Sequence, residues 1–180
     1  MEQQDILSMT LPELQAAVQE LGEPKFRAKQ IFNWLHQKRV TDFSEMTTLS
    51  LPFRERLASD FCINRLKIAK RLASSVDDTV KYLYELPDGN YVETVCMQYH
   101  HGTSLCISTQ VGCRMGCRFC ASAIAGFVRN LTPAEMLLQI YETERAQNCK
   151  ISSLVLMGIG EPLDNFDLSL IHISEPTRPR

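Results

Sequence analysis

The sequence predicts an α/β chain: an N-terminal helical domain, a β-hairpin bridge, then the start of a partial (β/α) barrel. Three observations carry that expectation. Apolar residues recur at helical spacing through about the first 65 positions. The period shortens to two between Val80 and Val95. From Ser104 onward the order reads strand, loop, helix, strand, which is the βαβ pattern of a parallel sheet or barrel. The corresponding boundaries are 1–66 for the helical domain, 67–98 for the bridge, 99–168 for the barrel portion and 169–180 for a tail of different character.

Thr10 and Glu13 form a capping box, so a helix starts there with Leu11, Leu14, Val18 and Leu21 on its apolar face. Pro24 opens a second helix, whose apolar stripe is Ala28, Ile31, Phe32 and Leu35. Its other faces carry Lys25, Arg27, Lys29, Lys38 and Arg39, with Trp34 and His36 among them and no acidic residue from Lys25 to Thr41. Such a patch suits phosphates and stacked bases, and it equally suits a solvated helix face. Ser50-Leu51-Pro52 begins a third helix that runs to about Phe61.

Val80, Tyr82, Tyr84 and Leu86 alternate with Lys81, Leu83 and Glu85 before the turn Pro87-Asp88-Gly89-Asn90. Tyr91, Val92, Thr94 and Val95 make the returning strand. His100-His101 fits a loop, because neighbouring strand residues face opposite ways and cannot share one metal. Leu105-Cys106-Ile107-Ser108 reads as a short strand. Thr132 to Glu135 caps a helix to about Gln147, with Met136, Leu137, Ile140 and Tyr141 inward. Ser153 to Met157 reads as a buried-type strand ending in Gly158-Ile159-Gly160-Glu161-Pro162. Loops at the C-terminal ends of barrel strands carry the chemistry.

Composition narrows the class. The net charge of −2 advertises no nucleic-acid partner globally, so any RNA contact comes from a local patch. No apolar run approaches the roughly 18 residues of a membrane span. The start, Met-Glu-Gln-Gln-Asp, has no signal-peptide pattern. Seven cysteines is an odd count with three packed together, which disfavours a secreted disulfide scaffold and favours the reducing cytoplasm. Cys62, Cys96 and Cys149 stand apart from the packed group and read as small buried hydrophobes.

Cys113, Cys117 and Cys120 form a C-x3-C-x2-C triplet. A [4Fe–4S] cluster is normally held by four cysteines, so three ligands leave one iron open. Structural zinc is the weaker reading, since the triplet has no obvious second pair.

Together with Cys106, Gln110-Val111-Gly112, Gly126-Phe127-x-Arg129-Asn130-Leu131 and Gly158-x-Gly160-Glu161-Pro162, this triplet resembles the radical S-adenosylmethionine (SAM) RNA adenine C2 methyltransferases. The resemblance covers roughly residues 5–168 and includes Lys-Phe-Arg-Ala-Lys-Gln-Ile in the second helix. It implies a [4Fe–4S] cluster on Cys113, Cys117 and Cys120, SAM contacts from Gly160 and Glu161, Cys106 as a resolving thiol and Glu93 as a proton acceptor. Phe119 would shield the cluster. The implied substrates are adenines in 23S rRNA and tRNA, methylated through a methylcysteine radical and a covalent protein–RNA adduct. A flavodoxin-type electron donor and a monomeric state are likewise implied. The sister family that methylates adenine C8 is the near alternative.

The resemblance stops near Leu168, and the Pro- and Arg-rich end resembles an adaptor-derived read-through. The family's methyl-carrying cysteine has no counterpart after Cys149. The competing expectation is therefore an inactive fragment that at most binds a cluster or RNA.

Overall fold

The computed structural model describes residues 3–124 and 126–170. Most of the expected tail lies outside the described residues. Within them the chain parts after Asn64 into two units.

In the first unit, β1 (Gln4–Asp5) pairs in parallel with β2 (Phe61–Cys62), so the two ends of the unit meet. Helix α1 (Leu11–Glu20) starts as foreseen: the Glu13 carboxylate accepts from the Thr10 N–H at 2.7 Å, and the Thr10 hydroxyl accepts from the Glu13 N–H. Leu14 and Val18 are buried, whereas Leu11 and Leu21 stay half-exposed at the ends of the expected stripe. Helix α2 (Phe26–Asn33) continues into a π-helical turn, Trp34–Lys38, and stops at Arg39 in the left-handed region, φ 55°. That wider turn brings both Leu35 and His36 inward, beyond what a 3.6-residue period predicts. Helix α3 (Leu51–Asp60) contributes Phe53 and Leu57 to the same core.

In the second unit the strands are β3 (Lys67–Ala73), β4 (Val80–Glu85), β5 (Tyr91–Tyr99) and β6 (Gly102–Cys106). A small antiparallel pair follows, β7 (Gln110–Gly112) with β8 (Phe127–Asn130). Helix α4 (Pro133–Gln147) and strand β9 (Ile151–Val155) come next, then the short α5 (Phe166–Leu170). The main sheet has the order β3-β4-β5-β6-β9. Its first four strands are antiparallel and β6–β9 is parallel, with α4 as the crossover. The hairpin strands thus belong to the same sheet as the βαβ unit.

Three expectations change here. β3 was not foreseen: every residue from Lys67 to Ala73 is exposed, so no alternation marked it. Helix α4 turns a more polar face inward than its apolar residues suggest. Gln139 and Thr143 are fully buried, while Leu137, Ile140 and Tyr141 are half-exposed. Hydrogen bonds explain this. Gln139 accepts from the Thr94 hydroxyl at 2.8 Å, and the Thr143 hydroxyl pairs with the Tyr84 hydroxyl at 2.8 Å. Lastly, β9 spans Ile151–Val155 and lies at the sheet edge, with Ser152, Ser153 and Val155 exposed, so it is not a buried-type strand.

Candidate active site

Two loops leave the same end of the parallel pair. The ladder extends past β6 and β9 through Ile107 N–H to Val155 O (3.0 Å) and Gly158 N–H to Ile107 O (3.0 Å). The Thr109 and Gln110 amides then both donate to Ile159 O, at 2.9 and 3.2 Å. The loop after β9 therefore lies flat on the segment between β6 and β7. Only glycine permits this. A Cβ on Gly158 would come within 2.7 Å of the Ile107 backbone, and one on Gly160, at φ +106°, within 2.6 Å of Gln110 Cβ.

Gln110, fully buried, joins both loops. Its Nε2 donates to Asn130 Oδ1 (2.8 Å) and Asp164 Oδ2 (2.7 Å), and its Oε1 accepts from the Glu161 N–H (2.9 Å). Ser108 acts alongside it. The Ser108 hydroxyl donates to Glu93 O at 2.7 Å and accepts from the Ile159 N–H at 3.0 Å. The Ser108 backbone is held at both polar groups by the Gln139 amide, at 2.9 and 3.0 Å. In the sequence, Gln110 stands out only as part of a motif and Ser108 has no evident role. The available signal was a polar run, Ser108-Thr109-Gln110, lodged between an apolar strand and the cysteines.

The cysteine loop is closed at its base by the Cys113 N–H donating to Gly126 O at 3.1 Å. Gly112, at φ +72°, leaves no room for a Cβ against the Gly126 carbonyl. Cys113 and Cys120 are half-buried and Cys117 is exposed; all are free thiols. Hydrogen bonds from the Ser122 side chain and backbone hold the Cys120 thiol below its ordinary value. Among the described residues, no three His, Cys, Asp or Glu side chains converge as a metal-holding group. The donor chemistry nonetheless fits an iron–sulfur cluster, with three unpaired thiols on one loop closed at its base. Phe119 and Ile124, on the same loop, are 95% and 87% exposed.

Cys106 ends β6 opposite Val95 on β5 and Val155 on β9. Burial pushes its thiol up, opposed by a hydrogen bond from the Met157 backbone. Glu93 lies two residues from Val95, on the face turned away from α4, since Thr94 is the residue that meets Gln139. Cys106 and Glu93 are thus diagonal neighbours on one open sheet face. The Glu93 carboxylate pairs with Lys81 Nζ at 2.6 Å. Glu161 uses Oε1 to accept from the Leu163 N–H at 3.1 Å, capping the turn Pro162–Asn165. Arg129 makes a two-pronged contact with Glu135 at 2.8 and 2.7 Å and also pairs with Asp88 at 2.6 Å, tying β8 to the start of α4 and to the β4–β5 turn.

In the first unit, Lys25, Lys29 and Lys38 are exposed. Lys38 Nζ stands 3.5 Å over the Trp34 ring, whose Nε1 donates to Thr48 at 2.8 Å. Arg27 is held by Gln30 and by the Thr48 carbonyl. No helix among the described residues is long and apolar enough to cross a membrane.

Residues 4–63 match the family model for the ribosomal RNA large subunit methyltransferase N-terminal domain. A protein of Lachnoclostridium phytofermentans named probable dual-specificity RNA methyltransferase RlmN is 54% identical over 166 residues, or 91% of this chain and 46% of that protein. Its namesake in Alkaliphilus oremlandii is 52% identical over 167 residues, covering 93% and 48%. The crystal structure of a radical SAM methyltransferase from Sphaerobacter thermophilus superposes with a TM-score of 0.86 at 32% identity, over 97% of this chain and 52% of that one. The chain spans about half the length of the curated relatives it matches. Over that span, the chain is similar to proteins named RlmN RNA methyltransferase, and its residues 4–63 match their N-terminal-domain family.

Proposed function

We propose that this chain carries the cluster- and SAM-binding part of an enzyme that methylates C2 of adenine in 23S rRNA and tRNA. One observation carries the reading. The three-thiol loop and the Gly-Glu-Pro loop leave the same end of the parallel pair and are fastened through Gln110, while Cys106 leads into the first and is bonded beside the second. When bound, a [4Fe–4S] cluster and SAM supply one-electron chemistry able to activate a C–H bond that is too weakly acidic for deprotonation.

Cys113, Cys117 and Cys120 hold the cluster through sulfur. The Gly160–Glu161 segment accepts from the SAM ammonium group. In the route implied by the resemblance, a methylcysteine would join the RNA through its methyl carbon; Cys106 would then bond to that cysteine's sulfur as the sulfur–carbon bond breaks, leaving the carbon on the adenine. Glu93 serves as the proton acceptor once the covalent adduct has formed, with Lys81 paired to its carboxylate. Residues 1–66 form an RNA-binding accessory domain in which Lys25, Lys29 and Lys38 meet phosphates; 67–98 bridge to the barrel portion, and 169–180 are a non-family tail. The setting is cytoplasmic, with a flavodoxin-type donor and a monomeric enzyme.

A second reading, an inactive cluster- or RNA-binding chain, is favoured by β9, which pairs on one side only among the described residues. Anaerobic reconstitution with iron and sulfide, followed by SAM, reductant and RNA, separates the two. The proposed enzyme yields 2-methyladenine. Deoxyadenosine alone supports the second reading, and 8-methyladenine would assign the sister chemistry. Failure of a folded sample to take up iron would sink the cluster assignment. Charge reversal at Lys25, Lys29 and Lys38 is expected to weaken RNA binding and flatten its salt dependence; unchanged affinity removes those lysines from the interface.

A further inference from the structure

Cys96 and Cys149 belong to neither loop of the candidate site. Cys96 lies on β5 with its side chain on the α4 face of the sheet, like Thr94 two residues before it. Cys149 follows α4 directly: Asn148 ends the helix at φ 49°, and the Cys149 N–H folds back to donate to Glu144 O at 3.2 Å. That reversal brings the two thiols into hydrogen-bond contact. Both are free. Cys96 is only 2% exposed, whereas Cys149 is half-buried. Cys96 also borders a cavity of about 400 Å³, shared with Gln98, Arg71 and Gln147 of α4.

We propose that Cys96 and Cys149 are a redox-responsive dithiol, which a low-molecular-weight disulfide of the glutathione class converts into an intramolecular disulfide. The reading is independent of the methyl-transfer proposal, since it uses none of the same residues. Burial, and then the neighbouring Cys149, push the Cys96 thiol up to about 11, so the more accessible Cys149 reacts first. The Cys149 thiolate attacks one sulfur of the small disulfide, and one small thiolate leaves. Cys96 then gives up its proton and attacks the Cys149 sulfur, expelling the second. The protein loses two protons and two electrons; the small disulfide gains both and departs as two thiols. The new bond would fasten β5 to the end of α4 and so fix the turn into β9.

Equilibrating the full 180-residue chain in oxidised and reduced glutathione, then blocking free thiols, tests this directly. Chymotryptic cleavage after Tyr91 and Tyr99 isolates Cys96 from the cluster cysteines, so its partner can be read by mass spectrometry. The expected product is a Cys96–Cys149 peptide pair, lighter than the two free peptides by two hydrogens and lost on reduction. Cys149→Ser should abolish the pair and leave Cys96 without glutathione, because Cys96 is only 2% exposed. The oxidised chain should also melt at a higher temperature than the reduced one. Recovery of Cys96 only as the blocked thiol, or joined to glutathione or to any cysteine other than Cys149, overturns the proposal.

Discussion

Gln110 shows how much of a candidate site rests on a residue with no chemistry of its own. Buried and bonded to Asn130, Asp164 and the Glu161 amide, it fixes where the Gly-Glu-Pro loop sits relative to the cysteines. Gln110→Ala leaves those groups without their partner, at about 1–3 kcal/mol for each one kept from water. The expected result is a lower melting temperature together with faster hydrogen exchange across 158–165. Unchanged exchange there would show that the loop is held by its backbone bonds alone. Gly160→Ala should be at least as damaging: φ +106° costs about 1–3 kcal/mol for a residue with a Cβ, before the collision with Gln110 is counted. At this scale the sequence points to side chains with distinctive chemistry, such as the cysteine triplet, whose role is a proposal. It was mute about Gln110 and Ser108, whose importance comes from what surrounds them after folding.

Elements were legible where local rules act and less so where tertiary contacts decide. The capping boxes at Thr10 and Thr132 form as foreseen because each involves residues three apart. The inward face of α4 could not be read in the same way, because Gln139 and Thr143 are inward only by virtue of Ser108, Thr94 and Tyr84 across the interface. Gln139→Leu keeps the volume but strips the Ser108 backbone and the Thr94 hydroxyl of their partner, so it should destabilise the second unit by about 1–3 kcal/mol per orphaned group. A melt indistinguishable from the parent would mean that apolar packing dominates this contact. The start of α4 adds a pH dependence. Burial tends to raise the Asp88 carboxyl, but hydrogen bonds from Asn90 and Arg129 outweigh it and hold the group below its ordinary value. A carboxylate depressed in the folded state contributes stability above its unfolded value and loses it as pH falls through the folded one. Acidification below about pH 4 should therefore weaken the second unit, and Asp88→Asn should flatten that part of the curve. Far-UV circular dichroism is the readout, since Trp34 reports on the first unit only. An unaltered acid limb would exclude Asp88 as its source.

For the whole molecule, periodicity identified strands and helices but not which strands would be neighbours. The β4–β5 hairpin read locally as a bridge, yet hydrogen bonding runs from β3 through β6 to β9 without a break. Neighbour choice depends on contacts distant in sequence, such as Cys106 with Val155, which no local window contains. The same topology exposes a hazard. β9 is paired only with β6 among the described residues, and the chain beyond it presents Met157 at 80% exposure and Leu163 at 73%. An unpaired edge flanked by apolar side chains is a template for pairing with another copy. The purified chain should therefore self-associate with rising concentration. Met157→Lys places a charge beside that edge without disturbing a buried contact, and it should lower the aggregated fraction several-fold by light scattering while leaving the melting temperature unchanged. Equal scattering from parent and variant would move the association surface elsewhere, with the exposed Phe119 and Ile124 of the cysteine loop as the next residues to charge.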